Sequence, residues 1–205
     1  MKKDGLLYII SAPSGAGKTT LLKRVMGFFP DKRFSVSYTT RPPRPEERDG
    51  EDYHFVSPSR FDQMVKEGEF AEWAEVLGHR YGTAVHTIRE NLSQGIDLIL
   101  DIDSQGARQI KDHFKEGIFI FILPPSVESL RDRLQARSVD EQDVIQFRVS
   151  RARDEMKQAS WYDYIIVNDD LVEAVEQLKS IIIAERCRRE RVLERIGGES
   201  WQGLP

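Results

Sequence analysis

The residues with the clearest chemistry lie near the start of the chain, in the segment SAPSGAGKTT at positions 11–20. This segment follows the pattern G-x-x-x-x-G-K-[ST], except that Ala12 replaces the first glycine. Gly15 and Gly17 let backbone N–H groups turn towards phosphate oxygens, and Lys18 can reach the terminal phosphates of a nucleotide. The pattern therefore predicts a phosphate loop whose members all lie near the nucleotide. They are Ala12, Pro13, Ser14, Gly15, Ala16, Gly17, Lys18, Thr19 and Thr20.

A carboxylate at the end of a second apolar run is expected to complete a metal site. The run at 98–100 ends in Asp101, as a Walker B strand does. An aspartate at a strand end is often only a loop cap, but the nearby phosphate loop favours a metal role. We therefore expect Thr19 and Asp101 to hold Mg²⁺, directly or through water.

Two arginines in a proline-rich stretch suggest a second phosphate site. The sequence TTRPPRP at 39–45 favours an extended path that repeats every three residues, so Arg41 and Arg44 are expected to face the same side. Two guanidinium forks on one rigid face can bind a phosphate bidentately. A solvated linker or a ligand for an SH3-type domain would explain the prolines, but not the neighbouring serine and threonine hydroxyls.

A third group of arginines occurs between residues 130 and 153. Arg133 and Arg137 are four residues apart, and Arg148 and Arg151 are three apart, so each pair shares one face of a predicted helix. On the residues alone, two solvated amphipathic helices joined by a polar turn at 138–140 remain the alternative interpretation.

Four short apolar runs are expected to position these residues. None alternates with polar residues, which is typical of strands buried on both faces of a parallel sheet. The runs are Leu6–Ile10, Leu98–Ile102, Ile118–Leu123 and Tyr164–Val167. A helical pattern follows each run, at Lys18–Phe28, Gln105–Phe114, Val127–Ala136 and Leu171–Leu193. This alternation predicts a three-layer α/β fold with right-handed crossovers.

Two stretches interrupt the alternation and divide the chain. Residues 35–85 hold short strand-like pieces and one helix at 59–66, which Ser57 or Ser59 could cap. Residues 125–155 contain the two arginine-bearing helices. The expected division is a core of residues 1–34, 86–124 and 156–205, an inserted region at 35–85 and a helical lid at 125–155.

Composition limits the partners and the compartment. The chain has 205 residues, with 30 basic and 34 acidic side chains and a net charge of −4, which gives no overall field for nucleic acid or for an anionic membrane. Cys187 is the only cysteine, so no intrachain disulfide is possible. The first apolar run is too short for a signal peptide, and none approaches the roughly 20 residues of a membrane span. A cytoplasmic protein is expected.

Taken together, the motifs resemble those of the guanylate kinases, a family of P-loop nucleoside monophosphate kinases, over nearly the whole chain. The matching segments are SAPSGAGKT, SVSYTTRPPR, DGEDYHF, FAEWAEV, YGT, LILDIDSQG and DYIIVNDD. The resemblance implies an enzyme of purine nucleotide metabolism and GMP recycling. It would transfer the γ-phosphate of ATP, accompanied by Mg²⁺, to GMP, giving ADP and GDP. dGMP is expected to serve as a further acceptor.

The resemblance also assigns residues to the acceptor. It implies that the GMP phosphate is held by Arg41, Arg44, Tyr53 and Tyr81, and that guanine is read by Ser37, Glu72, Thr83 and Asp103. The chemistry of the base agrees, because a carboxylate can accept from N1–H and N2–H together while a hydroxyl serves O6. Adenine carries an acceptor at N1 and would leave Glu72 without a donor.

For the remaining basic residues, the resemblance implies a mobile lid. Arg137, Arg148 and Arg151 would close over the transferring phosphoryl group, and Arg133 would contact ATP or be structural. Ser138 stands where the family often carries glycine. Asn168 matches a position near the adenine of ATP, although it could equally cap the last helix.

Two other functions compete with this interpretation. An enzyme with another acceptor, such as a different nucleoside monophosphate or a sugar phosphate, needs the same loop and lid but not the guanine-reading set. A guanylate-kinase-like scaffold module that binds peptides commonly lacks the phosphate loop, which this chain has. The charged C-terminal helix at 185–195 is either a solvated surface or a subunit contact within a homo-oligomer. The four histidines are assigned no catalytic or metal role.

Overall fold

Five parallel strands form the central sheet of the structure, a computed structural model that describes residues 4–76, 78–137 and 142–196. In order across the sheet they are β2 (Arg33–Phe34), β7 (Leu98–Asp101), β1 (Leu7–Ser11), β8 (Ile118–Leu123) and β9 (Tyr164–Val167). The four apolar runs are confirmed as strands. The two-residue strand β2 was not predicted, because a run this short carries no periodicity.

Helices cover both faces of this sheet, which confirms the three-layer arrangement. Successive residues of β1 point to opposite faces. Tyr8 and Ile10 pack with α1 (Lys18–Met26) and α7 (Leu171–Arg186), whereas Leu7 and Ile9 pack on the other side. The helices of that second face are α3 (Val85–Ser93) and α4 (Ser104–His113). Helix α3 was not predicted.

The prediction of one continuous helix at 171–193 is wrong. Helix α7 ends at Arg186, and a separate helix, α8 (Arg189–Ile196), follows. Arg191 explains the break, because its Nη1 donates to the backbone oxygen of Glu185 at 2.8 Å and to its carboxylate at 2.6 Å. Arg188 donates to the same carboxylate at 2.7 Å. The buried Glu185 thus draws both arginines back, and its carbonyl is satisfied outside a continuing helix.

A second, four-stranded sheet follows the first α/β unit. Its order is β4 (Tyr53–Phe55), β3 (Ser37–Thr39), β6 (His79–Ala84) and β5 (Phe70–Val76). Helix α2 (Pro58–Lys66) packs beneath it, with Phe61 stacked on Phe70 at 4.5 Å between ring centroids. Ser57 is the cap, since its side chain accepts from Arg60 N at 3.2 Å.

Two further helices form a unit with its own small core. They are α5 (Val127–Arg137) and α6 (Gln142–Lys157), and a 3-10 helix follows at Gln158–Trp161. The buried side chains between α5 and α6 are Leu130, Leu134, Ile145, Val149 and Ala152. The predicted turn at 138–140 lies outside the described residues. No helix in the described ranges is long and apolar enough to cross a membrane.

Candidate active site

The segment between β1 and α1 folds as a phosphate loop. Gly15 and Gly17 have φ values of +91° and +90°, a left-handed backbone that favours glycine. Gly17 is the N-cap of α1, so the positive end of the helix dipole opens onto the loop. This geometry is suited to a phosphate group, as the motif predicts.

Lys18 lies between the loop and the end of β7. Its Nζ is 2.6 Å from Asp101 Oδ1 and donates to the backbone oxygen of Ile102 at 2.9 Å. Asp101 and Thr19 line one cavity of about 360 Å³, so a hydroxyl and a carboxylate face the same space. Hard oxygen donors of this kind suit Mg²⁺, which usually takes one or two protein ligands together with phosphate oxygens and water.

The same cavity reaches the second sheet. Its lining includes three of the predicted acceptor residues, Ser37, Tyr53 and Thr83. The fold thus brings β3, β4 and β6 to the mouth of the phosphate loop, and one cleft joins the predicted metal residues to the predicted acceptor residues.

Arg41 is held in a fork by a carboxylate that sequence reasoning missed. Its Nη2 and Nη1 lie 2.7 and 2.9 Å from Glu47 Oε1 and Oε2, and Arg44 N donates to Oε2 at 2.8 Å. The hydrogen bond from Arg41 holds the pKa of Glu47 below its usual value. The available signal was an acidic residue three positions after Arg44, within the same proline-rich segment.

Aromatic rings surround this fork. The guanidinium carbon of Arg41 lies 5.4 Å from the Tyr53 ring centroid, and the Tyr53 and Tyr81 centroids are 5.9 Å apart. Glu47 and the Tyr81 hydroxyl both raise the pKa of Arg41 through hydrogen bonds. Three of the four residues predicted to hold the acceptor phosphate are therefore neighbours, whereas the Arg44 side chain is exposed beside them.

Glu72 is buried where β5 meets the start of α4. Thr83 Oγ1 donates to Glu72 Oε1 at 2.7 Å, and Asp103 caps α4 by accepting from Gly106 N at 2.8 Å. Burial, with a smaller contribution from the charge of Asp103, raises the pKa of Glu72 to about 7, although the Thr83 bond opposes the shift. Three of the four predicted guanine-reading residues thus meet at one buried carboxylate.

Arg133 and Asn168 hold the phosphate loop through hydrogen bonds to backbone oxygens. Asn168 Nδ2 donates to the Ala16 backbone oxygen at 2.7 Å, and Arg133 Nη2 donates to the backbone oxygen of Asn168 at 2.9 Å. A side chain at Gly17 would meet Asn168 Nδ2 at 2.4 Å, so this close approach needs glycine. Both residues also line a cavity of about 310 Å³ beside the loop.

The lid arginines are placed only in part. Helix α5 rests on the loop, because a side chain at Gly15 would meet Leu134 and Leu130 at 3.0 and 3.1 Å. Arg148 is partly buried on α6, and Arg151 is exposed. Arg137 ends α5, and its side chain lies outside the described part of the structure. Their contact with a transferring phosphoryl group stays a prediction.

Replacing Asn168 tests how firmly the loop is held. We expect Asn168→Ala to lower the free energy of unfolding by about 1–3 kcal/mol, because the Ala16 carbonyl loses its shorter hydrogen bond and keeps only the one from Arg133 Nη1 at 3.5 Å. Urea unfolding measures this change. Asn91→Ala is the matched control, because that side chain bonds a carbonyl of its own helix, Thr87 O, at 2.8 Å. Equal losses in the two variants would contradict a special role for Asn168.

Comparisons with known sequences and structures agree with the resemblance seen in the motifs. A family model described as guanylate kinase matches residues 4–185. A guanylate kinase of Geobacter metallireducens is 59% identical over 196 residues, covering 96% of this chain and 97% of its own. One from Caldanaerobacter subterraneus is 47% identical, covering 93% of each chain. The crystal structure of guanylate kinase from Anaplasma phagocytophilum aligns with a TM-score of 0.69 at 33% identity, covering 96% of this chain and 97% of that one.

Proposed function

The chain belongs to the guanylate kinase family, the kinases that phosphorylate GMP with ATP, and we propose how its cleft divides that work. The observation that carries the proposal is the single cavity lined by Thr19 and Asp101 on one side and by Ser37, Tyr53 and Thr83 on the other. A donor phosphate on the loop and an acceptor phosphate in the second sheet would meet in this cavity.

On the donor side, the loop residues 12–20 would hold the phosphates of ATP through backbone N–H groups and the start of α1. Lys18 would move from Asp101 to the β- and γ-phosphates. Thr19 and Asp101 would then hold Mg²⁺, whose charge neutralises the phosphate oxygens. The cavity beside Asn168 is the proposed place for the rest of ATP.

On the acceptor side, Arg41, Arg44, Tyr53 and Tyr81 would orient the GMP phosphate. Its oxygen is already anionic at neutral pH, so no general base is needed and catalysis rests on positioning and charge. Ionised Glu72 would accept from guanine N1–H and N2–H, while Ser37, Thr83 and Asp103 complete the base site. dGMP is included as an acceptor.

Three units would then move relative to one another. We assign residues 1–34, 86–124 and 156–205 to the ATP-binding core, 35–85 to GMP binding and 125–155 to the lid. Closure would bring Arg137, Arg148 and Arg151 to the phosphoryl group and exclude water, which would otherwise hydrolyse ATP. With nucleotides as its substrates, the protein is proposed to act in the cytoplasm, without nucleic-acid or membrane partners.

An acceptor panel tests this proposal. ADP release is followed with ATP and Mg²⁺ while GMP, dGMP, AMP, UMP and CMP are offered separately. Turnover with GMP and dGMP alone is expected. Turnover with another base would overturn the assigned base readers but keep the phosphate loop. No turnover with any acceptor would favour a peptide-binding scaffold instead.

The Arg41 fork yields a separate prediction. Arg41→Lys keeps the positive charge but loses the planar fork, so we expect kcat/KM for GMP to fall about 10–100-fold, with KM for ATP within about twofold of wild type. Steady-state kinetics measures both parameters. Arg60→Lys is the control, because Arg60 also pairs with a glutamate, Glu69, at 3.0 Å, in a pair that is more exposed than that of Arg41 and Glu47. A proportional rise in KM for ATP would speak against a role confined to the acceptor.

A further inference from the structure

We infer that Gly106 and Gln109, three residues apart on helix α4, are positioning residues for the Glu72 carboxylate and set how strictly the site selects guanine. This inference rests on the proposed role of Glu72 as the reader of N1–H and N2–H. Neither residue carries a charge or belongs to the predicted set of base readers. Their effect would come from where they hold strand β5 and its side chain.

Gln109 binds the strand in the way that a neighbouring strand would. Its Oε1 accepts from Trp73 N and its Nε2 donates to Trp73 O, both at 3.1 Å. Strand β5 is the edge of the second sheet, so one carboxamide supplies a donor and an acceptor to an otherwise open edge. Trp73 directly follows Glu72, and the bond pair therefore fixes the backbone beside the carboxylate.

The backbone of β5 at Glu72 is held less completely by its neighbouring strand. The pairing of β5 with β6 shifts register between Phe70 and Glu72, where Phe70 faces Ala84 but Glu72 faces Thr83. A bulge of this kind re-aims the side chains that follow it. Because the ladder is interrupted immediately before Glu72, contacts from α4 act together with the Thr83 hydrogen bond in setting where its carboxylate points.

Gly106 supplies the space for the carboxylate itself. A side chain at this position would lie 2.7 Å from Glu72 Oε2 and 3.5 Å from Asp103 Oδ1. Gly106 lies within α4, in a conformation open to any residue, so space rather than backbone strain calls for glycine here. The close neighbour is the end of a side chain, so Gly106→Ala is expected to displace the carboxylate rather than unfold the protein.

The chemistry of the purine gives a direct readout. GMP presents N1–H and N2–H to the two carboxylate oxygens, whereas IMP lacks the N2 amino group and presents N1–H alone. The ratio of kcat/KM for GMP to that for IMP therefore measures how well both oxygens are aligned. A loss of general stability would lower both values and leave the ratio unchanged.

The experiment compares Gly106→Ala and Gln109→Met with wild type, using GMP and IMP as acceptors. We expect the GMP-to-IMP ratio to fall about tenfold in each variant, with KM for ATP unchanged, because sub-ångström misplacement is costly in an oriented site. Gln177→Met is the matched control, since Gln177 lies on α7 and bonds only Glu173 of its own helix among the described contacts. An unchanged ratio in both α4 variants overturns the inference.

Glu72→Gln, assayed in parallel, separates the proposed role of Glu72 from the inferred role of Gly106 and Gln109. If this variant keeps the wild-type ratio, the proposed role of Glu72 is wrong and the positioning inference falls with it. If it collapses the ratio while both α4 variants keep it, only the positioning inference fails. Urea unfolding of each variant confirms that the assayed protein is folded.

Discussion

Glu72→Gln is expected to lower kcat/KM for GMP by at least about 100-fold, because the amide presents a donor where guanine also presents donors. The pH dependence of the wild type should agree with this. The pKa of Glu72 is about 7, so the carboxylate is ionised above that pH and protonated below it. KM for GMP in the wild type is therefore expected to fall as pH rises through about 7. Glu72→Gln should lose this component and keep only the one from the second ionisation of the GMP phosphate, at about pH 6.

The same substitution is expected to stabilise the fold. The pKa of Glu72 is raised from 4.5 to about 7 in the folded state, so the folded protein holds a proton that the unfolded chain releases between these values. The wild type therefore loses stability as pH rises from about 4.5 to 7, up to about 3 kcal/mol. Below this window the carboxyl is neutral in both states and the penalty vanishes.

Urea unfolding at pH 5 and pH 8 checks the predicted direction of the change in stability. Glu72→Gln should gain stability over wild type at pH 8, and the gain should be smaller at pH 5. Glu75→Gln, an exposed position on the same strand, serves as the control and should behave like wild type at both values. A variant less stable than wild type at pH 8 would contradict the idea that Glu72 is kept at the expense of stability.

Lys18→Met is expected to lower kcat by about 10²–10³, because on the proposed mechanism the variant loses the cation that would contact the transferring phosphoryl group. The fold should tolerate the change. Asp101 loses an ion-pair partner, but its side chain is 36% exposed and partly exposed pairs contribute about 1 kcal/mol or less. Single-turnover kinetics at saturating ATP and GMP separates this loss from weaker binding.

Lys179→Met is a close control for Lys18→Met. The two lysines are 18% and 20% exposed, and each forms an ion pair, at 2.6 Å with Asp101 and at 2.7 Å with Glu176. Lys179 lies on α7, outside the residues that line the cleft. If both variants lost activity alike, the effect of Lys18→Met would reflect destabilisation rather than the loss of a cation at the phosphate.

Local patterns in the sequence predicted much of this architecture. The apolar runs predicted the central strands because burial on both faces requires continuous apolar residues, although in the edge strand β9 both Ile165 and Val167 are exposed. The glycines of the loop predicted its left-handed turns.

The missed pieces differ in cause. Strand β2 has only two residues, and the break after Arg186 depends on contacts between side chains. Helix α3 did carry a local signal, because Val85, Ile88 and Leu92 recur at helical spacing and pack against the sheet.

The candidate site was predictable at the level of residue types but not of partners. Motifs singled out Lys18, Arg41 and Glu72, and the partner of the Arg41 fork, Glu47, lies only six residues away, where its charge was an available signal. Gln109 differs, because its bonds to Trp73 span 36 residues of sequence and depend on how α4 packs against β5. Long-range partners of this kind follow from the tertiary structure.

The Glu47 carboxylate occupies the Arg41 guanidinium, where the acceptor phosphate is proposed to bind. Glu47 already accepts from both Nη atoms of Arg41 and from the Arg44 amide. If Arg41 holds the acceptor phosphate as proposed, the phosphate would have to displace this carboxylate, and binding would be an ion exchange. The hydrogen bond from Arg41 lowers the pKa of Glu47, so the carboxylate would stay charged throughout the exchange. A phosphate dianion would then compete better than a carboxylate or a monoanion, and the fork would select its occupant by charge.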